Sequence, residues 1–122
     1  MPRFALLEHT HAPDDSAGLH YDLLIEAEAA CRTWRLATLP EAGVPAVAAV
    51  ELPPHRLAWL DHEAGPVSGG RGFARRIDGG ACTVESTPAG LAVAADGRLF
   101  RGRLALAPAA AGWLIRLAAG DV

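Results

Sequence analysis

His20 and Asp22 stand two residues apart in Leu19-His-Tyr-Asp-Leu-Leu-Ile-Glu26, a run that reads as a β-strand. Alternate side chains of a strand point to opposite faces. His20, Asp22 and Glu26 therefore share one face, and Tyr21, Leu23 and Ile25 share the other. The second set is apolar and requires a core. The first set places an imidazole beside a carboxylate, and His9 and His11 lie a short loop upstream. Two imidazoles and one carboxylate form a common shell for a catalytic divalent metal with open positions.

The elements that must position these groups read as strands with tight turns. Arg3 to His9 alternates loosely and forms a first strand, followed by the polar loop His11 to Gly18. His20 to Glu26 and Ala30 to Leu39 follow as a hairpin. Ala46 to Glu51 and His55 to Leu60 read as short strands broken by Pro53-Pro54, which cannot donate to a ladder. Glu63 to Gly72 is a glycine-rich loop. Asp78-Gly79-Gly80 reads as a hairpin turn between Gly72–Ile77 and Ala81–Ser86. Asp96-Gly97 reads the same way between Leu91–Ala95 and Arg98–Ala107. Gly112 to Ala118 is the last strand. Pro108 argues against helix over Ala105 to Ala111. The expected fold is all-β, a small closed or partly open barrel of about eight strands with a metal sited in a groove.

Composition sets outer limits. A chain of 122 residues is one domain by length, spanning 1–122, and at 51% hydrophobic it buries a sizeable core. Basic residues number 11 against 14 acidic, for a net charge of −3, which argues against a broad electrostatic grip on nucleic acid but leaves room for one phosphate. Cys31 and Cys82 form no metal-type pair and read as small buried apolar groups. No signal-peptide pattern and no long apolar run is present, so the expected compartment is a reducing cytoplasm, without a membrane.

The motifs together resemble a known family. The matching pieces are Arg3-Phe-Ala-Leu-Leu-Glu-His9, His20-Tyr-Asp-Leu-Leu-Ile-Glu26 and Thr33-Trp-Arg-Leu36. They continue with His55-Arg-Leu-Ala-Trp-Leu-Asp-His-Glu63 and Gly65-Pro-Val-Ser-Gly-Gly-Arg-Gly72. In this order they resemble the 3′-phosphoesterase domain of bacterial DNA ligase D, over about Arg3 to Glu85. The resemblance implies a small β-barrel that removes 3′-phosphates and 3′-ribonucleotides from primer ends in DNA repair. It implies a divalent metal, manganese first and zinc second, and a repair ligase or polymerase as partner. By position, His9, His20 and Asp22 match the metal ligands, and His55 matches the histidine on the scissile phosphate.

Departures accompany the matches. Leu24 stands where the family has arginine, and Trp59 where it has tyrosine. Strand parity places residue 24 on the face of His20 and Asp22, so an arginine restored there is expected to reach the groove and raise activity. Ala46 to Val50 lacks a further family arginine, and the loop between His9 and His20 is enlarged, leaving His11 as a rival first ligand. Arg35 and Arg71 are candidates to replace the missing cations, Arg71 with help from backbone N–H groups of its loop. Glu26 is a candidate to orient Arg35 or a ligand. Three functions remain open: a phosphoesterase on nucleic-acid 3′ ends, a non-catalytic module that binds DNA ends or a repair partner, and a phosphoesterase on a small molecule.

Overall fold

β1 (Arg3–Thr10) and β2 (Leu19–Ala27) pair antiparallel with Leu6 opposite Leu23 and His9 opposite His20. A computed structural model, which describes residues 1–119, builds outward from this pair. β3 (Ala30–Leu36) follows β2 through a tight turn in which Glu28 adopts a left-handed φ of 62°. β4 (Val47–His55), β5 (Ala64–Pro66), β6 (Phe73–Thr87), β7 (Gly90–Asp96), β8 (Arg101–Ala109) and β9 (Gly112–Ala119) complete the sheet. Neighbours run β1-β2-β3-β4-β9-β8-β7-β6, and β1 pairs with β6 to close a ring of eight; β5 adds a ninth strand beside β6. The all-β, barrel-like expectation holds. The expected single domain also takes in residues 120–122, which lie outside the described residues.

The ring is partly open. β4 meets β9 only through Val47–Ile115, Ala48–Leu114 and Ala49–Trp113. Past Ala49 that edge of β4 has no strand partner among the described residues. Phe4, Leu6, Leu23, Ile25, Trp34, Leu36, Phe100, Leu104 and Ile115 fill the barrel, with Tyr21 packed at its margin. Fully burying such a side chain contributes about 1.5–3 kcal/mol.

A second core lies on the other face of the same strands. Ala5, Leu7, Leu24 and Cys31 are buried under Leu60 of a 3₁₀ helix, Leu57–Asp61, with Trp59 packed alongside. β1, β2 and β3 thus bury both faces over part of their length.

The structure corrects several turn and strand assignments. Pro53 and Pro54 do not break a strand: β4 runs through them to His55. They occupy an irregularity where Cys31 pairs with His55 and Thr33 with Leu52, so the ladder asks neither proline for an N–H. The stretch expected as a strand from His55 to Leu60 forms the 3₁₀ helix instead. Asp78-Gly79-Gly80 is no hairpin turn either. β6 passes straight through it, with a bulge where Leu6 pairs with Asp78 and Leu7 with Arg76. The buried Asp78 carboxylate instead accepts the backbone N–H groups of Arg98, Leu99 and Phe100 at 2.7–3.0 Å. It thereby fixes the turn between β7 and β8, and that turn holds Gly97 to Phe100 rather than closing directly at Asp96-Gly97. A Cβ on Gly97 would lie 2.5 Å from Asp78 Oδ2, so the carboxylate requires glycine there. β3 ends at Leu36, short of the expected Leu39.

Candidate metal centre

Strand pairing assembles the site. His9 and His20 are direct cross-strand partners on β1 and β2, and Asp22 follows His20 by one pleat. One ligand atom from each of His9, His20 and Asp22 lies within 4.8 Å of the others, and all three residues are buried. The two imidazoles meet edge to face at 4.6 Å.

Hydrogen bonds decide which nitrogens face the centre. His9 Nε2 donates to the carbonyl of Arg71 at 2.7 Å; a carbonyl only accepts, so Nε2 carries the hydrogen. His9 Nδ1 is left with its lone pair, 3.8 Å from Asp22 Oδ2. His20 Nδ1 donates to Asp15 Oδ2 at 2.8 Å. Its Nε2 is buried without a hydrogen-bond partner, 3.6 Å from the same Asp22 oxygen. Buried nitrogens are rarely left alone. Two lone pairs and one carboxylate oxygen converge, each imidazole held from behind by an oxygen, which is how proteins present histidine to a metal. The donor set of two nitrogens and one oxygen fits a divalent ion with open positions.

In the metal-free protein the neighbouring carboxylates favour a proton on His20, which competes with an ion for Nε2. Burial disfavours a charged His20, yet the Asp22 and Asp15 carboxylates outweigh it and raise its pKa above the ordinary histidine value. Burial likewise works against the Asp22 carboxylate, but His20 and Arg35 lower its pKa below the usual range. The hydrogen bond from His20 lowers the pKa of Asp15.

The centre opens onto a groove of about 720 Å³ lined by His9, Asp22, Arg35, His55, Trp59 and Arg71, among others. Arg35 lies opposite Asp22 across β2 and β3, its Nε 3.4 Å from Asp22 Oδ1 and Nη1 3.8 Å from Asp14. His55 Nδ1 donates to the Pro53 carbonyl at 3.0 Å, which leaves Nε2 available. Trp59 stacks at a tilt on His62, whose Nε2 donates to the Ala74 carbonyl. Arg71 folds back onto Ser68, with Nε on its carbonyl at 2.7 Å. Gly72 pins this loop: its φ is +93°, and a Cβ there would lie 2.2 Å from the Thr10 carbonyl oxygen. That close approach holds the Arg71 carbonyl against His9.

Several expectations change here. His11 is exposed, has a φ of 59° and stands apart from the cluster, so His9 supplies the first imidazole. Glu26 shares the parity of His20 but sits at the far end of β2, where it accepts the N–H of Arg3; it orients neither Arg35 nor a ligand. Backbone N–H groups of Val67 and Arg71 are spent inside their own loop, on Gly72 and Val67, so they do not cradle an anion. Leu24 has the expected parity but is fully buried in the second core, so an arginine there must first displace that packing. Asp15 was not anticipated. The only sequence signal was a carboxylate five residues before His20, in a loop whose Asp and Pro residues read as turn formers.

Cys31 and Cys82 are buried free thiols whose pKa values burial pushes up. No helix among the described residues is long and apolar enough to cross a membrane. No protein-family model and no curated protein matches the chain.

Proposed function

We propose that the chain is a metal-dependent phosphoesterase acting on nucleic-acid 3′ ends, removing a 3′-phosphate or 3′-ribonucleotide in DNA repair. The observation that carries this reading is the convergence of His9 Nδ1, the unpartnered His20 Nε2 and Asp22 Oδ2 beside a groove that His9 and Asp22 line together with His55, Arg35 and Arg71. The resemblance to ligase D phosphoesterase domains supports the choice of substrate and of manganese, with zinc as the second ion.

A divalent ion bound there supplies Lewis-acid activation of a phosphoryl group. Asp15 and the Arg71 carbonyl hold the two imidazoles in the required tautomers. His55 is placed to contact a phosphate oxygen through Nε2, which donates when the ring is protonated. Arg35 and Arg71 offset negative charge on the phosphoryl oxygens. Trp59 forms the groove wall. Hydrolysis of a 3′-phosphate forms a phosphorus–oxygen bond from water and breaks the bond to the 3′ oxygen. The water's proton ends on that oxygen, giving a 3′-hydroxyl and inorganic phosphate. The two buried thiols favour a reducing cytoplasm, where a repair ligase or polymerase is the natural partner.

One observation favours a second reading, a non-catalytic module that binds DNA ends. Both replacement cations are already engaged, Arg35 with Asp22 and Arg71 with Ser68. Manganese-dependent release of phosphate from a 3′-phosphorylated primer separates the two. Release that disappears in His20→Ala supports the enzyme; binding of the end without release by metal-loaded protein supports the module.

A further inference from the structure

We propose that the groove recognises only the terminal phosphorylated residue of its substrate, so that a short 3′-phosphorylated oligonucleotide is bound as well as a long duplex. This rests on the phosphoesterase reading and narrows its substrate class.

The argument is an inventory of positive charge. The chain has 11 basic residues and all are arginine. Three of them, Arg35, Arg56 and Arg71, line the groove. Three more are committed to carboxylates: Arg3 to Asp61 at 2.9 Å, Arg32 to Glu51 at 2.9 Å and Arg75 to Glu8 at 3.1 Å. Arg101, Arg103 and Arg116 lie on β8 and β9. In the ring of eight, β8 is four strands from β2, and β9 is four strands from β1. They therefore occupy the opposite wall of the barrel from the metal centre.

Arg76 and Arg98 remain, and both line a separate cavity, bounded by Leu60, beyond the 3₁₀ helix. Arg76 there donates to the Leu60 carbonyl at 2.9 Å. On the rim of the metal groove stands Asp14, whose side chain is 76% exposed and repels a passing phosphate. A nucleic-acid chain leaving the groove thus meets few cations, and each phosphate left unneutralised contributes no counterion release.

The groove suits a single terminal residue. Its volume of about 720 Å³ falls in the range of small-molecule sites. Its lining includes the ligands His9 and Asp22, its cations suit one phosphate group, and the Trp59 ring offers a face for one base.

The test is a ladder of 3′-phosphorylated substrates, from a dinucleotide through single strands to a primer–template duplex, assayed with manganese. KM is expected to stay within about threefold along the ladder. The plot of log KM against log salt is expected to have a slope no steeper than about 1.5, the value for two neutralised phosphates on a single strand. Trp59→Ala should raise KM at least about fivefold at every length, as loss of one stacked base does.

A KM that falls more than tenfold with length overturns the proposal and leaves the phosphoesterase reading standing. So does an Arg98→Ala variant that weakens only the long substrates, since the strand would then run over the 3₁₀ helix. If no member is hydrolysed, the phosphoesterase reading falls. Competition by the same ladder against a fluorescent 3′-phosphorylated end then still decides length dependence, with equal competition supporting end-only recognition and length-graded or absent competition overturning it.

Discussion

Asp15 Oδ2 accepts a 2.8 Å hydrogen bond from His20 Nδ1, and this contact leaves His20 Nε2 as the nitrogen that faces His9 and Asp22. The loop between His9 and His20 is therefore part of the site rather than a neutral insertion. Removing such a supporting carboxylate lowers metal affinity by about 10–100-fold in characterised sites. Asp15→Ala is expected to lose that much in a calorimetric titration. Asp15→Asn, which keeps an acceptor oxygen, is expected to lose less. Equal affinity in Asp15→Ala and the parent chain would contradict the assigned role.

Proton and metal compete for His20. Its folded-state pKa is raised, so in the metal-free protein its contribution to stability is fully present below the unfolded value of about 6.5 and is lost as pH rises through the folded value. Asp22 and Asp15 are lowered, so their contributions hold above about 3.9 and are lost as pH falls through their folded values. Metal-free protein should thus melt highest in the mildly acidic window between these limits. The gain in Tm on adding metal should grow as pH rises and His20 deprotonates. A metal-induced gain that is constant between about pH 5 and pH 8 would contradict this assignment.

Leu24→Arg is expected to destabilise the protein rather than activate it. Leu24 is sealed among Leu7, Cys31 and Leu60, and a guanidinium there loses its water and must displace that apolar packing. Denaturant unfolding should show a loss of at least about 3 kcal/mol. A folded variant with raised phosphate release would show that the roof opens.

Asp78→Ala should cost at least about 3 kcal/mol, because it strands the N–H groups of Arg98, Leu99 and Phe100. The same denaturant measurement applies. A loss below about 1 kcal/mol would mean that water replaces the carboxylate.

The contrast between Leu23 and Leu24 explains what the sequence disclosed. Leu23 belongs to a clean alternation that aims it into the barrel, and the same parity places His20 and Asp22 together outside. Period-2 reasoning needs no knowledge of distant partners. Leu24 lies on the outer face, and its burial depends on the 3₁₀ helix from Leu57, more than thirty residues away. Asp78-Gly79-Gly80 failed for a related reason. An Asp-Gly pair suits a turn by its own backbone freedom, but here the pairing partner β1 and the β7–β8 turn set its use. Asp15 was legible only as a turn former, because its role depends on how the loop folds back on His20.

The central claim is that His9, His20 and Asp22 hold one divalent ion. Titration of manganese, and separately zinc, into metal-stripped protein by calorimetry tests it most directly, with mass spectrometry giving the stoichiometry. The account predicts one ion per chain in the parent protein and none in His20→Ala, whose circular dichroism should retain the β spectrum. A parent protein that binds no ion, or a folded His20→Ala that binds one as tightly as the parent, would contradict it.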